Sequence, residues 1–478
     1  MALSQIRSNR VQPDRSAGST IAVLGLLSAG VFIYQALEAM LLPALPLVRT
    51  SLHASTQDIA WAITSVLLAG AVATPVVGRL ADIRDKRRIL LAALAITALG
   101  TLLSALAPSL AVLIIGQALQ GVGLGVVPLS IGIIRDTQTP EWSRIGNGLI
   151  IGVAGAGFVA GTLLAGPIAQ HLSFKWLFWI PLLALLLTLI GVWLFMPACP
   201  PMSERVNGDR VGFGLLDAGL LGGGLALLLS AFTIAPDDGW TSNRFLAFLA
   251  AALVLLAAFV AVELRTAAPL IDLRRLASRP VMLACVMSFV IGFASFAVLL
   301  ALPMIVELPP ATGYGLGKTV TEAGVLLVPL GVAAAIAGPL TGKLERLLGQ
   351  RGVMALTMIV LSASSLVMFA GRGIWALALA SLLTGIGQGL GLTAVMNMLV
   401  KTVPSEHTGA VSGLAFVLKA VGSVLGAQIA ASVLAAHLDP GTQAPTWSGF
   451  EAVYWISASL GFAGLVLSFL FYRPADRH

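Results

Sequence analysis

Residues 78–90 read GRLADIRDKRRIL, the densest charge cluster in a chain of which only 10% is charged. Five bases (Arg79, Arg84, Lys86, Arg87, Arg88) and two acids (Asp82, Asp85) stand between two long apolar runs. Such a stretch reads as a short turn between two membrane-spanning helices. Gly78 has no Cβ and lets two helix ends come close, and Asp82 can sit against a helix N-terminus. The bases hold the turn on the cytoplasmic side. Taken no further, this is a positive-inside loop of the kind most multi-span proteins carry.

Working outward, the chain repeats itself. Gly78-Arg79-Leu80 returns as Gly342-Lys343-Leu344 at an offset of 264 residues, and Gly121-Val122-Gly123 returns as Gly385-Ile386-Gly387 at the same offset. With one residue more, Gly148, Gly157 and Gly161 return as Gly413, Gly422 and Gly426. Three segments kept in order imply a duplicated half. Gly-x-Leu-Ala-Asp followed by a basic run also resembles the loop signature between helices 2 and 3 of the major facilitator superfamily. Ile83 and Asp85 stand where that signature has a base and a glycine. Parallel halves are what facilitator-type transporters are built from.

With 58% hydrophobic residues, the chain is far from soluble composition and is expected to be an all-α polytopic membrane protein. Apolar runs of about 20 residues mark fourteen spans. They lie at roughly 20–48, 57–78, 88–107, 110–134, 145–169, 176–197, 212–234, 245–264, 280–304, 320–341, 352–370, 375–400, 409–434 and 451–472. The tails and the even-to-odd loops hold 22 of the 28 Lys and Arg residues, which places both termini in the cytoplasm of a multi-pass cell-membrane protein. No cleavable signal peptide is expected, since the first apolar run is too long for one. The net charge of +7 is explained by cytoplasmic loops facing anionic lipid. Cys199 and Cys285 lie near helix ends, and no disulfide is expected.

The expected divisions are a cytoplasmic tail (1–18), an N-terminal six-helix half (19–197), a linker with two extra membrane helices (198–278) and a C-terminal half of six helices with a short tail (279–478). Spans 7 and 8 have no repeat partner and occupy the place of the linker between halves. This resembles the fourteen-helix drug:proton antiporter branch of the superfamily, over nearly the whole chain.

Glu38 lies well inside span 1. A charged carboxylate at mid-membrane costs about 2.5–3.5 kcal/mol, so such acids are functional by default. Here it could trade a proton, or be a structural carboxyl bonded to nearby backbone. The segment resembles the branch's first-helix motif, with glutamate in place of aspartate. Lys419, deep in span 13, has the apolar Ala154 as its repeat partner, so helix packing does not require it. It could neutralise Glu38, meet an anionic substrate group or take part in proton coupling, or it could snorkel to the interface.

Span 4 carries Gln117, Gln120, Gly121 and Leu124 on one helical face. Gln120-Gly121 resembles the superfamily's fourth-helix motif, with Gln117 in place of its arginine. The repeat positions Ser381 and Thr384 are polar too, with Gln388 one turn on. These residues read either as a central cavity or as interhelical hydrogen bonding, worth about 0.6 kcal/mol each. Tyr34, Gln35, Phe293, Phe296, Met396 and Asn397 complete the cavity candidates. The Phe289, Phe293 and Phe296 stripe equally reads as packing. In span 5, Gly157, Gly161, Gly166 and Pro167 allow close helix contact and resemble the branch's antiporter signature.

The chain has no phosphate-binding GxxxxGK[ST] loop, metal-ligand cluster or nucleophile elbow. An enzyme, a metal, a cofactor and a nucleic-acid partner are therefore not expected. The resemblance implies efflux of small amphipathic compounds by alternating access, with the proton gradient as energy source. Glu38 and Lys419 would then serve proton coupling. Gly78, Asp82, Lys86, Arg87 and Arg88 would form a latch that breaks as the halves rock. Substrate, protons and membrane lipid are the partners, and a monomer suffices. Rival readings are an exporter of one endogenous metabolite or lipid, and a non-transporting sensor on the same scaffold.

Overall fold

The computed structural model describes residues 17–52, 56–199, 215–266, 278–403, 408–441 and 444–471. The linker residues 200–214 and 267–277, and the basic residues of both tails, lie outside these. The N-terminal helices are α1 (Ala17–Ser51), α2 (Thr56–Ile83), α3 (Lys86–Leu106), α4 (Leu110–Gln120), α5 (Val126–Thr137), α6 (Pro140–His171) and α7 (Trp176–Phe195). Then come α8 (Leu215–Asp238) and α9 (Asn243–Glu263). The C-terminal helices are α10 (Arg279–Glu307), α11 (Val320–Leu326), α12 (Val328–Ala370), α13 (Ile374–Thr402), α14 (Thr408–Ala436) and α15 (Trp447–Phe471).

Local chemistry sets several starts. The Asp85 side chain accepts the Arg87 N–H at 2.9 Å and begins α3. Thr139 caps α6, with Pro140 at its first position, and Thr319 with Glu322 forms a capping box on α11. Between α4 and α5 a 3-10 turn, Gly121–Gly125, tightens the same rod where it meets α2 and α1.

Among the described residues, twelve helical stretches are long and apolar enough to cross a membrane. The expected fourteen differ from these at two places. Glu322–Phe369 runs 48 residues as one apolar stretch, but Gly349, at φ 71°, breaks its helix. Only glycine takes that conformation cheaply. In α8 the apolar part is the shorter Gly219–Phe232.

The repeat is visible as geometry. A Cβ at Gly121 would meet the Val66 carbonyl of α2, and one at Gly385 would meet the Leu330 carbonyl of α12. Both members of the second pair stand 264 residues after the first. Gly157 and Gly161 lie on the Phe32 and Ala36 backbone of α1, as Gly422 and Gly426 lie on the Phe289 and Phe293 backbone of α10.

The seams between the halves repeat too. Gly148 of α6 meets Gly338 and Pro339 of α12, while Gly413 of α14 meets Thr74 and Pro75 of α2. One seam is therefore the pseudo-symmetric image of the other. Of the extra pair, α8 packs at the α2–α14 seam, where Gly222 meets Val72 and Leu221 and Leu225 cluster with Val417 and Val421, and α9 packs on α8, with Leu256 against Gly224. The Trp240 indole donates to Ser432 of α14 at 3.0 Å.

Gly161→Val is expected to lower stability by about 1–3 kcal/mol or more, because the obstacle is backbone, which cannot rotate away as a side chain can. Gly25→Ala, where nothing lies within 4 Å, should instead stabilise α1 by up to about 1 kcal/mol. Thermal unfolding of the two purified variants checks the contrast.

Candidate functional site

The Gly78–Leu90 turn lies at one end of the bundle, called the basic end below. Its bases reach other helices of the N-terminal half. Lys86, 3% exposed, pairs with Asp136 at the end of α5 at 2.5 Å. The Arg87 guanidinium donates to the Trp193 carbonyl of α7. The chain leaving α7 is tied to the same turn: Lys86 N–H donates to the Cys199 carbonyl at 3.0 Å, and Cys199 N–H to the Asp85 carboxylate at 3.2 Å. Arg79 and Asp82 are buried, while Arg88 is exposed. Asp85, not among the expected latch residues, thus serves as both helix cap and tether.

Other residues make contacts that cross between the halves at this end. Asn147 of α6 donates to Asn397 of α13 at 3.0 Å, and Arg135 of α5 donates to the Val403 carbonyl at 2.7 Å. Asn397 then donates to Glu345 of α12 at 3.1 Å. Lys401 donates to both Glu345 and Gln350 at 3.0 Å. Gln350 stands 264 residues after Lys86 and Lys401 stands 265 after Asp136, so a similar pairing recurs with the base on the other helix. Each neutral bond here contributes about 0.5–1.5 kcal/mol, and Lys401 is 47% exposed, which screens its ion pair. A network of such bonds can hold a closed end and still be broken thermally.

The interior holds the acid and the base singled out in the sequence. Glu38 on α1 and Lys419 on α14 are each half-buried and lie within electrostatic reach of one another across the two halves. No Lys419–Glu38 contact falls within 4.0 Å, so they attract without a direct ion pair. Tyr34, one turn before Glu38, packs its ring on Gly123, and its buried hydroxyl has no hydrogen-bond partner among the described residues. The Lys419 carbonyl lies against Gly292 of α10 and accepts the Ser423 hydroxyl at 2.9 Å. Its backbone is therefore held while its side chain reaches inward.

The other cavity candidates separate into two groups. Gln117 and Gln120 both donate to Ser104 of α3, at 3.5 and 2.9 Å. Thr384 meets Ser364 of α12 at 2.6 Å. These polar faces bind neighbouring helices within one half. Met396 is wholly buried, Asn397 belongs to the network above, and Phe293 carries Gly426 on its backbone. Gln35, Phe296 and Gln388 remain half-buried, as Glu38 and Lys419 are. Gly157 and Gly161 serve close packing, and Gly166 and Pro167 sit near the far end of α6, which continues through the proline.

The packing role of the glutamines has a sequence signal. Thr97, Thr101 and Ser104 stand at i, i+4 and i+7 on α3, a polar stripe opposite theirs. Asn147 had no such signal: its partner is 250 residues away.

A family model described as Major Facilitator Superfamily matches residues 27–427 and again residues 284–478. The chain is 30% identical to an uncharacterized MFS-type transporter of Mycobacterium tuberculosis, over 86% of this chain and 59% of that relative's length. It is 29% identical to the multidrug resistance protein Stp of the same organism, over 87% of this chain and 76% of that one. Against the tetracenomycin C resistance and export protein of Streptomyces glaucescens, identity is 26% over 86% of this chain and 75% of that one. The crystal structure of the human organic anion transporter MFSD10 (TETRAN) superposes with a TM-score of 0.66 at 17% identity, covering 94% and 99% of the two chains, which is a likeness of fold.

Proposed function

This chain belongs to the major facilitator superfamily of membrane transporters, and from that premise we propose that it is a proton-coupled exporter of small amphipathic compounds. The observation that carries the reading is an acid on α1 and a base on α14, one from each half, both half-buried within an apolar bundle. An acid and a base held in an apolar bundle resist separation. Protonating Glu38 removes its charge and with it that resistance. The halves can then rock, and the network from Asn147 to Lys401 opens and recloses with them. For efflux, the carrier returns with Glu38 protonated and turns outward with substrate in the proton's place. The kinship with multidrug and antibiotic export proteins supports the class of substrate and the direction.

Inverted membrane vesicles with an acidic interior test this. A panel of amphipathic dyes and antibiotics, tetracenomycin C among them, should include compounds that accumulate until the pH gradient is collapsed. Accumulation indifferent to the gradient would remove proton coupling, and no accumulation of any compound would remove the export reading.

The reading puts the basic end in the cytoplasm, as the 22 bases imply. With Cys199 and Cys285 both buried, Arg84→Cys supplies one exposed thiol. A membrane-impermeant maleimide is expected to spare it in intact cells and to label it after lysis. Labelling in intact cells inverts the topology.

A further inference from the structure

At the basic end, the α6–α12 seam opens into a cavity of 330 Å³ lined by Glu141, Arg144 and Ile145 of α6 and by Gly342, Lys343 and Arg346 of α12. Three bases face one acid. The other acids near this end are already engaged: Asp136 holds Lys86, and Glu345 holds Lys401 and Asn397. Among the described residues, Arg144, Lys343 and Arg346 make no ion pair. The cavity therefore keeps its positive charge.

An apolar track leads out of it. Val332, Ile336 and Leu340 lie at i, i+4 and i+8 on α12, and each is at least 42% exposed. The next residue on that face is Lys343. Ile145 of α6, which lines the cavity, is exposed as well. A free anion uses the bases and has no use for the track. A molecule with a phosphate at one end and alkyl chains at the other uses both.

We propose that this cavity is a binding site for an anionic phospholipid of the cytoplasmic leaflet. Its headgroup phosphate lies among Arg144, Lys343 and Arg346, and an acyl chain follows Leu340, Ile336 and Val332. Basic pockets between helices on the cytoplasmic side suit such headgroups. Arg144 comes from one half and the other two bases from the other half. Just beyond the cavity, Gly148 touches Gly338 and Pro339, so the phosphate meets all three bases only while this seam is closed. The site rests on the proposed orientation but not on transport or on protons.

The test uses the full chain in phosphatidylcholine nanodiscs titrated with phosphatidylglycerol, read as the rise in Tm. The expected result is a saturable rise, with an apparent affinity weakened roughly fivefold per base removed and about a hundredfold in R144Q/K343Q/R346Q. All three positions are exposed, so the variant keeps its core. A control, R84Q/R88Q, removes two exposed bases elsewhere at the same end and should leave the affinity unchanged. Three results overturn the proposal. An unchanged triple variant removes the site. An equal loss in the control reduces it to diffuse surface charge. The same rise with inorganic phosphate alone makes it a free-anion site.

Discussion

Oxidation of N147C/N397C is expected to abolish transport, and reduction to restore it. The two side chains meet at 3.0 Å, on α6 and α13 of opposite halves. Those 3.0 Å separate the amide tips, so the shorter cysteine thiols join directly only as the two helices approach; a short bis-maleimide spans the gap otherwise, and its thioethers are not reversed by reduction. Alternating access requires the halves to part at this end once per cycle. A covalent bond cannot part, so the loss should be complete. Asn147→Ala gives a graded comparison. It removes one hydrogen bond of about 1 kcal/mol and should shift the balance of open and closed forms by roughly fivefold without stopping the cycle. Cys199 and Cys285 are buried and give little background. Normal turnover in the oxidised protein would mean that this end does not open.

Glu38→Gln is expected to abolish proton-driven accumulation while sparing exchange of substrate for substrate. The amide fills the same space and has no proton to release, so it resembles the acid held neutral. A charged carboxylate at mid-membrane costs about 2.5–3.5 kcal/mol. Lys419 is the base that offsets this cost across the halves, and it loses its counter-charge in Glu38→Gln. Lys419→Met is the companion variant. If the lysine only balances the acid, Glu38→Gln/Lys419→Met should exchange substrate better than Glu38→Gln alone. If the lysine contacts substrate, the double variant should exchange less well.

Much of this architecture is legible in the sequence. The glycine echoes identify the duplicated half, and the structure turns them into matched contacts: Gly121 on Val66 against Gly385 on Leu330. Read from sequence, Asp82 stands against a helix N-terminus, but Asp82 lies within α2 and the residue that caps α3 is Asp85, three positions on. The spans 320–341 and 352–370 are already separate in the sequence, and Gly349, at φ 71°, breaks the helix between them.

The site was harder to read, for a physical reason. Helical spacing places Gln117 and Gln120 on one face but does not say which neighbour that face meets, and Ser104 receives both. Likewise Lys86 reads as a latch residue from its charge, yet its acid is Asp136 of the same half. One bridge between the halves joins Asn147 and Asn397, uncharged residues that carry no pattern. Glu38 and Lys419 were legible individually because ionisable side chains in apolar runs are rare. Their reach across the halves depends on how the helices stack, which local sequence does not encode.

Proton movement driven by substrate tests the central claim most directly. Proteoliposomes holding the purified chain and a pH-sensitive dye, given a gradient of a transported compound and no other driving force, should show proton flux in the opposite direction. The account predicts that this flux vanishes in Glu38→Gln while counterflow of the labelled compound continues. Equal proton flux in Glu38→Gln and the native chain would contradict it and remove Glu38 from the coupling.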